Sequence, residues 1–567
     1  MRTEFILLCI TLLHFGASFP YDALPISMVD AAYSHSYPAF MGYGADDSST
    51  TALKMDIQLL MLSDATLYIG ARDHVYTVNL DESYTDQIYL SKKLVWEASE
   101  TAQEGCRILG QLKDECHNFI KVLLKRNENL LFICGTNAFS PTCRHYKEDT
   151  LEPEGEDISG KGKCPYFQTE GNVALFADNN LYSATVTDFH GLDPIIYRSL
   201  GDNPRLRTVK QDSRWLKDPS FVHAVDYGKY IYFFFREVSV EYHGVAKVTV
   251  ARVARVCKND IGGNIRFLEK EWTSFLKARL ICTVPGDPPF SFDILQDVTD
   301  VVKVQDRDMV FALFTTPKNS IPGSACCAFD IGEIEKAFIG SFKHQRTPVS
   351  IWTPVPDYEV PKPRPGSCAG SGSLEEYASS SEIPDETLEF LKTHTLMDAS
   401  VDAVYHEPLF MQTVAQVTGF LIKIAVDDSA GPNEDNTVLF IGTEEGWLFK
   451  ILVWPKGNDF IKDSIFIEEM YIYNLAKCSH DMKIYKKVMD LKLDKPRGAL
   501  YVAFPHCVVR VPLGSCERHG SCKKSCIASR DPYCGWSNGA CIYLPPGTTV
   551  EYEQDLEKGN TDGMDDC

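Results

Sequence analysis

Residues 67–80 read LYIGARDHVYTVNL. Two β-branched and aromatic runs flank a short Ala-Arg-Asp break, so the stretch predicts an antiparallel hairpin. Similar openings recur at Leu131 (LFICGTNAF), Leu181 (LYSATVTDF), Ile231 (IYFFFREVSVEY), Val310 (VFALFTT), Leu439 (LFIGTEEGWLFKILV) and Leu500 (LYVAFPHCVVRV). Val, Ile, Tyr, Phe and Thr dominate them with a period of two, and Gly, Asp or Asn mark the turns. The intervals between the seven starts are 64, 50, 50, 79, 129 and 61 residues. Seven weakly similar strand units at such spacing predict a β-propeller with one sheet per blade; a mixed-β chain without ring closure is the alternative reading. The 129-residue interval must hold an insertion. Pro354–Ser381, rich in Pro, Gly and Ser, reads as a long loop. Thr387–His394 (TLEFLKTH) follows Pro384-Asp385-Glu386 and predicts a helix whose first amides Asp385 caps.

Outward from these units, the composition is that of a folded chain. Of 567 residues, 44% are hydrophobic and 24% charged, too apolar for a disordered protein and too long for one ordinary core. Lys and Arg number 56 against 78 Asp and Glu, a net charge of −22, which argues against a general nucleic-acid role. Nineteen cysteines suggest an oxidising compartment. The N-terminus agrees: Arg2, the ten-residue apolar run Ile6–Phe15 and the small Gly16-Ala17-Ser18 form a signal-peptide pattern over residues 1–18. That run is too short for a bilayer core of about 30 Å, and no later stretch reaches 18 apolar residues. Removal of Cys9 with the signal leaves 18 cysteines.

Composition shifts after Pro512. Six cysteines fall in the 52 residues from Cys516 to Cys567, with 5, 3, 7, 6 and 25 residues between them. A module this small needs staples, and the absence of C-x2-C pairs favours disulfides over zinc. Motifs of catalysis are missing: no G-x-S-x-G, P-loop, G-x-G-x-x-G, H-E-x-x-H or redox C-x-x-C occurs, and the 14 histidines lack ligand spacing. The chain reads as a binding protein rather than an enzyme, with no metal and no cofactor.

Two stretches carry a specific resemblance. Residues 526–536 (CIASRDPYCGW) resemble the core of a plexin–semaphorin–integrin (PSI) module, and residues 134–143 (CGTNAFSPTC) resemble the semaphorin propeller. DECHNFIKVLLKR (114–126), WTSFLKARLICTVPGD (272–287) and NSIPGSACCAFD (319–330) support the likeness, which runs from about Ala52 to Cys567. KKSCIASRDPYCGW and the closing GNTDGMDDC resemble class 6 transmembrane semaphorins.

The resemblance implies an all-β fold: a seven-bladed sema propeller over 19–513 with a helical insertion, then a PSI module over 514–567. It implies an extracellular guidance ligand for axons and migrating cells, binding plexin-A type receptors and pairing as a homodimer through its propeller. The chain lacks the membrane segment of that class and so reads as the ectodomain of a single-pass cell-surface protein. The alternative is a receptor-side fragment, since plexins and Met-type receptor kinases also begin with this propeller and a PSI module. The family pattern also implies the pairs Cys106–Cys116, Cys134–Cys143, Cys257–Cys368, Cys282–Cys327 and Cys478–Cys507. In the PSI module it implies Cys516–Cys534, Cys522–Cys567 and Cys526–Cys541. Cys164 and Cys326 are left over, either joined in a ninth bridge or both buried as free thiols. No Asn-x-Ser/Thr occurs, so N-linked glycans are not expected.

One basic stretch stands out from the acidic bulk. Arg205, Arg207, Lys210, Arg214 and Lys217 against Asp212 give +4 within thirteen residues that also hold Gln211 and Trp215. Arg and Trp are favoured interface anchors, although Trp215 tucked into the propeller behind a solvated edge fits the sequence equally. By resemblance, DSRWLKDP (212–219) corresponds to a plexin-facing stretch in which Gln211 replaces a frequent histidine. FLKTHTLMD (390–398) corresponds to a second one, with Lys392 matching a plexin-contacting lysine and His394 beside it. Thr395 stands there for a usual proline, which predicts a looser loop.

Overall fold

The computed structural model describes residues 20–567 apart from Asp30 and residues 46–52, 83–85, 243–246, 348–349, 414–417, 457–458 and 480–484. The signal segment expected at 1–18 lies outside the described residues. Seven antiparallel sheets form the blades of a propeller. The second strands, in blade order, are Thr66–Gly70, Leu130–Gly135, Asn180–Val186, Tyr230–Val238, Arg307–Thr315, Asn436–Thr443 and Ala499–Phe504. Each of the seven sequence units thus supplies the second strand of one blade. These strands are buried on both faces: Tyr232, Phe233, Phe234 and Phe235 are all fully covered. Their period-two alternation marks which neighbouring blade a side chain packs against, not core against solvent, because blades stack face to face.

Ring closure comes from the N-terminal side. Ala39–Phe40 pairs antiparallel with Val508 and Val509 of the last blade, whose third strand is Cys507–Pro512. Gln87–Ile88 then adds in parallel outside it. Farther upstream, Ser27–Val29 runs parallel to Asp459–Tyr471 at the edge of blade 6.

The insertion leaves blade 5 after Gly323–Asp330 and returns at Phe410–Thr413. It opens with the helix Ile331–Ile339, whose first turn is capped by Asp330 accepting from Gly332 N–H. Short 3-10 turns carry the chain through the expected loop to a second helix, Asp385–Thr393. The N-cap here is Pro384, and Asp385 does not cap. Its carboxylate instead accepts from Asn264 Nδ2 at 2.7 Å and Arg266 Nη1 at 2.8 Å, two donors on a neighbouring loop. Val401–Asp402 then adds in parallel to Leu276–Ile281, so an insertion rooted in blade 5 covers the outer edge of blade 4.

Eight disulfides join Cys106 to Cys116, Cys134 to Cys143, Cys257 to Cys368, Cys282 to Cys327, Cys478 to Cys507, Cys516 to Cys534, Cys522 to Cys567 and Cys526 to Cys541. Cys164 and Cys326 are free and buried, which removes the ninth bridge. The reason is distance around the ring. Cys164 packs with Val122, Phe132 and Leu181 between blades 2 and 3, whereas Cys326 packs with Phe311, Leu421 and Ile441 between blades 5 and 6.

The C-terminal module consists of a helix, Lys523–Ala528, and a hairpin of Cys534–Ser537 with Ala540–Tyr543. It is bolted to blade 6. The buried Lys450 ammonium donates to Asp531 Oδ2 at 2.6 Å and to the Leu513 carbonyl at 2.5 Å, and Tyr533 Oη donates to Asp427 at 2.7 Å. A buried lysine survives there because its charge is paired and hydrogen-bonded.

Candidate partner-binding face

The basic stretch links blade 3 to blade 4, between the short strand Leu206–Arg207 and the inner strand Ser220–Tyr227. Trp215 sits at its centre and is fully buried, so it is not the exposed anchor its basic neighbours suggested. Its indole stacks on Phe275 with centroids 4.9 Å apart and planes 11° apart. Indole Nε1–H donates to the carbonyl of Lys392 at 3.0 Å. The bulky apolar ring gains more from burial than from a rim position, and its one polar atom finds an acceptor. Thr395 completes the joint: its hydroxyl donates to the Arg214 carbonyl at 2.8 Å, and its own carbonyl accepts from Lys277 N–H at 2.8 Å. The loosening expected from the proline replacement is therefore not what the structure shows; the buried threonine makes a bond that proline cannot.

Beneath this joint lies a closed charge network. Glu237 Oε1 takes the Lys277 ammonium at 2.6 Å and Arg252 Nε at 2.9 Å, and all three side chains are fully buried. Glu237 Oε2 accepts from the backbone of Lys217 at 3.1 Å, and Arg252 reaches Glu241 at 2.6 Å. Against the upward push of burial, Arg252 holds the Glu241 carboxyl down at about 2. Such a network fixes the loop base, since removing one member would strand a buried charge.

The expected site residues separate into groups on this base. Arg214 is exposed and forms a two-pronged pair with Asp212, Nε to Oδ1 at 3.0 Å and Nη2 to Oδ2 at 2.5 Å. Burial pushes the Asp212 carboxyl up, but hydrogen bonds and charge from Arg214 hold it below the usual range. Lys392 is exposed at the end of the insertion helix, and no carboxylate among the described residues pairs with it. His394 follows, its ring stacked on Phe390 at 3.9 Å and its Nδ1 3.0 Å from the Phe390 carbonyl. Burial lowers its pKa, so the imidazole is neutral at pH 7. Arg207 is half-buried and held by Asp193 at 2.7 Å; Lys210 and Gln211 are exposed, Gln211 with a left-handed φ of 53°. Arg205 is exposed, and its charge adds to burial in lowering the Lys163 ammonium. The structure thus brings Asp212, Arg214, Lys392 and His394 together across about 180 residues of sequence.

Sequence reading missed two participants, Phe275 and Glu271, and misjudged a third, Thr395. Thr395 and Phe275 hold the joint, and Glu271 lies within the field of Lys392 and Arg207, its carboxyl raised by burial. Phe275 and Lys277 were visible at the start of the strand Leu276–Ile281, but nothing local says that an insertion more than a hundred residues away packs there.

Comparison with known proteins follows the same outline. The Sema domain model matches residues 295–486, and the plexin repeat model matches 515–567. Human Semaphorin-6A is 57% identical over 570 residues, covering 100% of this chain and 55% of that protein. Human Semaphorin-6D is 52% identical over 555 residues, with 97% and 51% covered. The chain therefore spans about half the length of these curated relatives. The solved structure of Drosophila Semaphorin 1b, extracellular domains 1-2, superposes with a TM-score of 0.78 at 33% identity, covering 92% of this chain and 96% of that one. The chain from Drosophila Plexin A in complex with Semaphorin 1b gives 0.77 at 33%, with 92% and 97% covered. The Plexin A4 extracellular region, at 16% identity and a TM-score of 0.62, shares the fold alone. With seven blades, an insertion on blade 5, a disulfide-stapled terminal module and these matches, the chain belongs to the semaphorin family and within it to class 6.

Proposed function

We propose that this extracellular or cell-surface chain is a guidance ligand that engages plexin-A type receptors through the face built from 212–217 and 392–394. The observation that carries this reading is the joint itself. The Trp215–Lys392 hydrogen bond holds two exposed cationic residues, Arg214 and Lys392, on one rigid patch of a chain whose net charge is −22. A preorganised basic patch on an acidic body suits an acidic receptor surface, which it would attract and orient. The similarity to the solved complex of Drosophila Plexin A with Semaphorin 1b supports the choice of partner. In this reading the chain acts by binding and not by catalysis, is the outer part of a single-pass membrane protein, and pairs with a second copy through its propeller, the last two on family resemblance.

Charge reversal tests the face. Lys392→Glu and Arg214→Glu should each weaken binding to a plexin-A ectodomain at least ten-fold in surface plasmon resonance and flatten its dependence on salt. Lys336→Glu, on an exposed side chain of the other insertion helix, should leave it unchanged. Unaltered affinity in both face variants overturns the assignment. Light scattering on the same preparations should give twice the 63.7 kDa chain mass, less the signal segment; a monomer at all concentrations removes the pairing.

A further inference from the structure

The inner strands of the seven blades surround a channel of about 570 Å³ along the ring axis. It opens, at the end where those strands begin, into a mouth of about 350 Å³ lined by Lys121, Glu170, Arg236, Lys423 and Lys487. Deeper in the channel the charges are matched. His223 meets Asp300 at 2.9 Å, Lys423 meets Asp297 at 3.3 Å, Lys492 meets Asp490 at 3.5 Å and Lys495 meets Asp428 at 2.5 Å.

The mouth is different. Lys121, Arg236 and Lys487 form no ion pair among the described residues. Lys121 Nζ donates one bond, to the Gln168 carbonyl at 2.7 Å, and Arg236 Nη1 donates to the Leu295 carbonyl. The single carboxylate, Glu170, is occupied by backbone N–H groups of Tyr166 at 3.1 Å and Phe167 at 3.3 Å. With Lys423 and Asp297 counted as a pair, three cations face one carboxylate, an excess of two positive charges inside a protein of net −22. Burial chiefly, with a smaller contribution from the nearby Lys423 charge, pulls the Lys121 ammonium down to about 8.

We propose that the channel mouth binds a small multivalent oxyanion whose phosphate or sulfate groups are taken by Lys121, Arg236 and Lys487. The guanidinium of Arg236 offers a planar fork suited to such oxygens, and the two lysines act as point charges on either side. The volume admits a pyrophosphate or one sulfated sugar unit and excludes a folded partner. The site is independent of the face at Arg214 and Lys392.

Calorimetric titration of the secreted chain with inorganic pyrophosphate and, separately, with a sulfated disaccharide tests it. Saturable one-to-one binding of either probe is expected, and which probe binds separates a phosphate source from a glycan source. Lys121→Gln and Arg236→Gln should each weaken it at least ten-fold, and Lys392→Glu should not. Lys487→Glu, on an exposed side chain, should do the same as the first two and keeps the test valid where a half-buried variant folds poorly. Absence of saturation with both probes, or binding that Lys121→Gln and Lys487→Glu leave unchanged, overturns the proposal.

Discussion

Cys164 and Cys326 illustrate how place decides chemistry at the scale of single residues. Both are fully buried between blades, and burial pushes each thiol well above its ordinary range. The thiolate is the reactive form, so both are inert in the folded protein although each lies near a disulfide in chain or space. Cys326 is the neighbour of bridged Cys327, but successive strand residues point to opposite faces, into different packing layers. Protein unfolded without reductant should therefore label two thiols per chain by mass spectrometry, and folded protein none over the same period. A count of zero in the unfolded sample would restore a ninth bridge.

At the scale of elements, Trp215 and the helix Asp385–Thr393 form one joint, and its parts can be weighed separately. Trp215→Ala removes a fully buried indole and should cost about 3–5 kcal/mol in a urea titration. Trp215→Phe keeps an aromatic on Phe275 but loses the bond to the Lys392 carbonyl, and should cost about 1–2 kcal/mol. Both should weaken receptor binding without touching an exposed charge; full affinity in Trp215→Ala would detach the joint from the face. How much of this was legible follows from range. The seven second strands announced themselves because each is a long, locally periodic apolar run. The closing strand Ala39–Phe40 did not, because two residues carry no periodicity and their partner lies some 470 positions away. The basic residues of 205–217 were visible as composition, whereas the burial of Trp215 depended on an insertion that sequence alone could not fold back onto blade 4. Asp385 misled for a related reason: a helix-start signal is local, and a competing partner at Arg266 is not.

At the scale of the whole molecule, the titrating groups set how the fold responds to acid. His74, His145, His394 and His519 all have pKa values lowered by burial. A base with a depressed folded pKa takes up its proton in the unfolded chain first. Below an unfolded value of about 6.5 the unfolded state binds more protons, so stability falls as pH drops from 7 toward the folded values. Carboxylates held low, such as Glu241 at about 2, lose their contribution only further down, between about 4.5 and 2. Two effects oppose the histidines. Glu170, Glu271 and Glu469 are raised by burial and favour the fold as they protonate, and added protons relieve the repulsion within a chain of net −22. Variants resolve the contest, because only the histidine contribution depends on the imidazoles. The loss of urea midpoint between pH 7.4 and 5.5 should be smaller in His145→Gln/His519→Gln than in the parent chain, since neither glutamine has a proton to gain. His145 and His519 lie in different modules, so the two reductions should add. An identical loss in the double variant would remove His145 and His519 from the acid response.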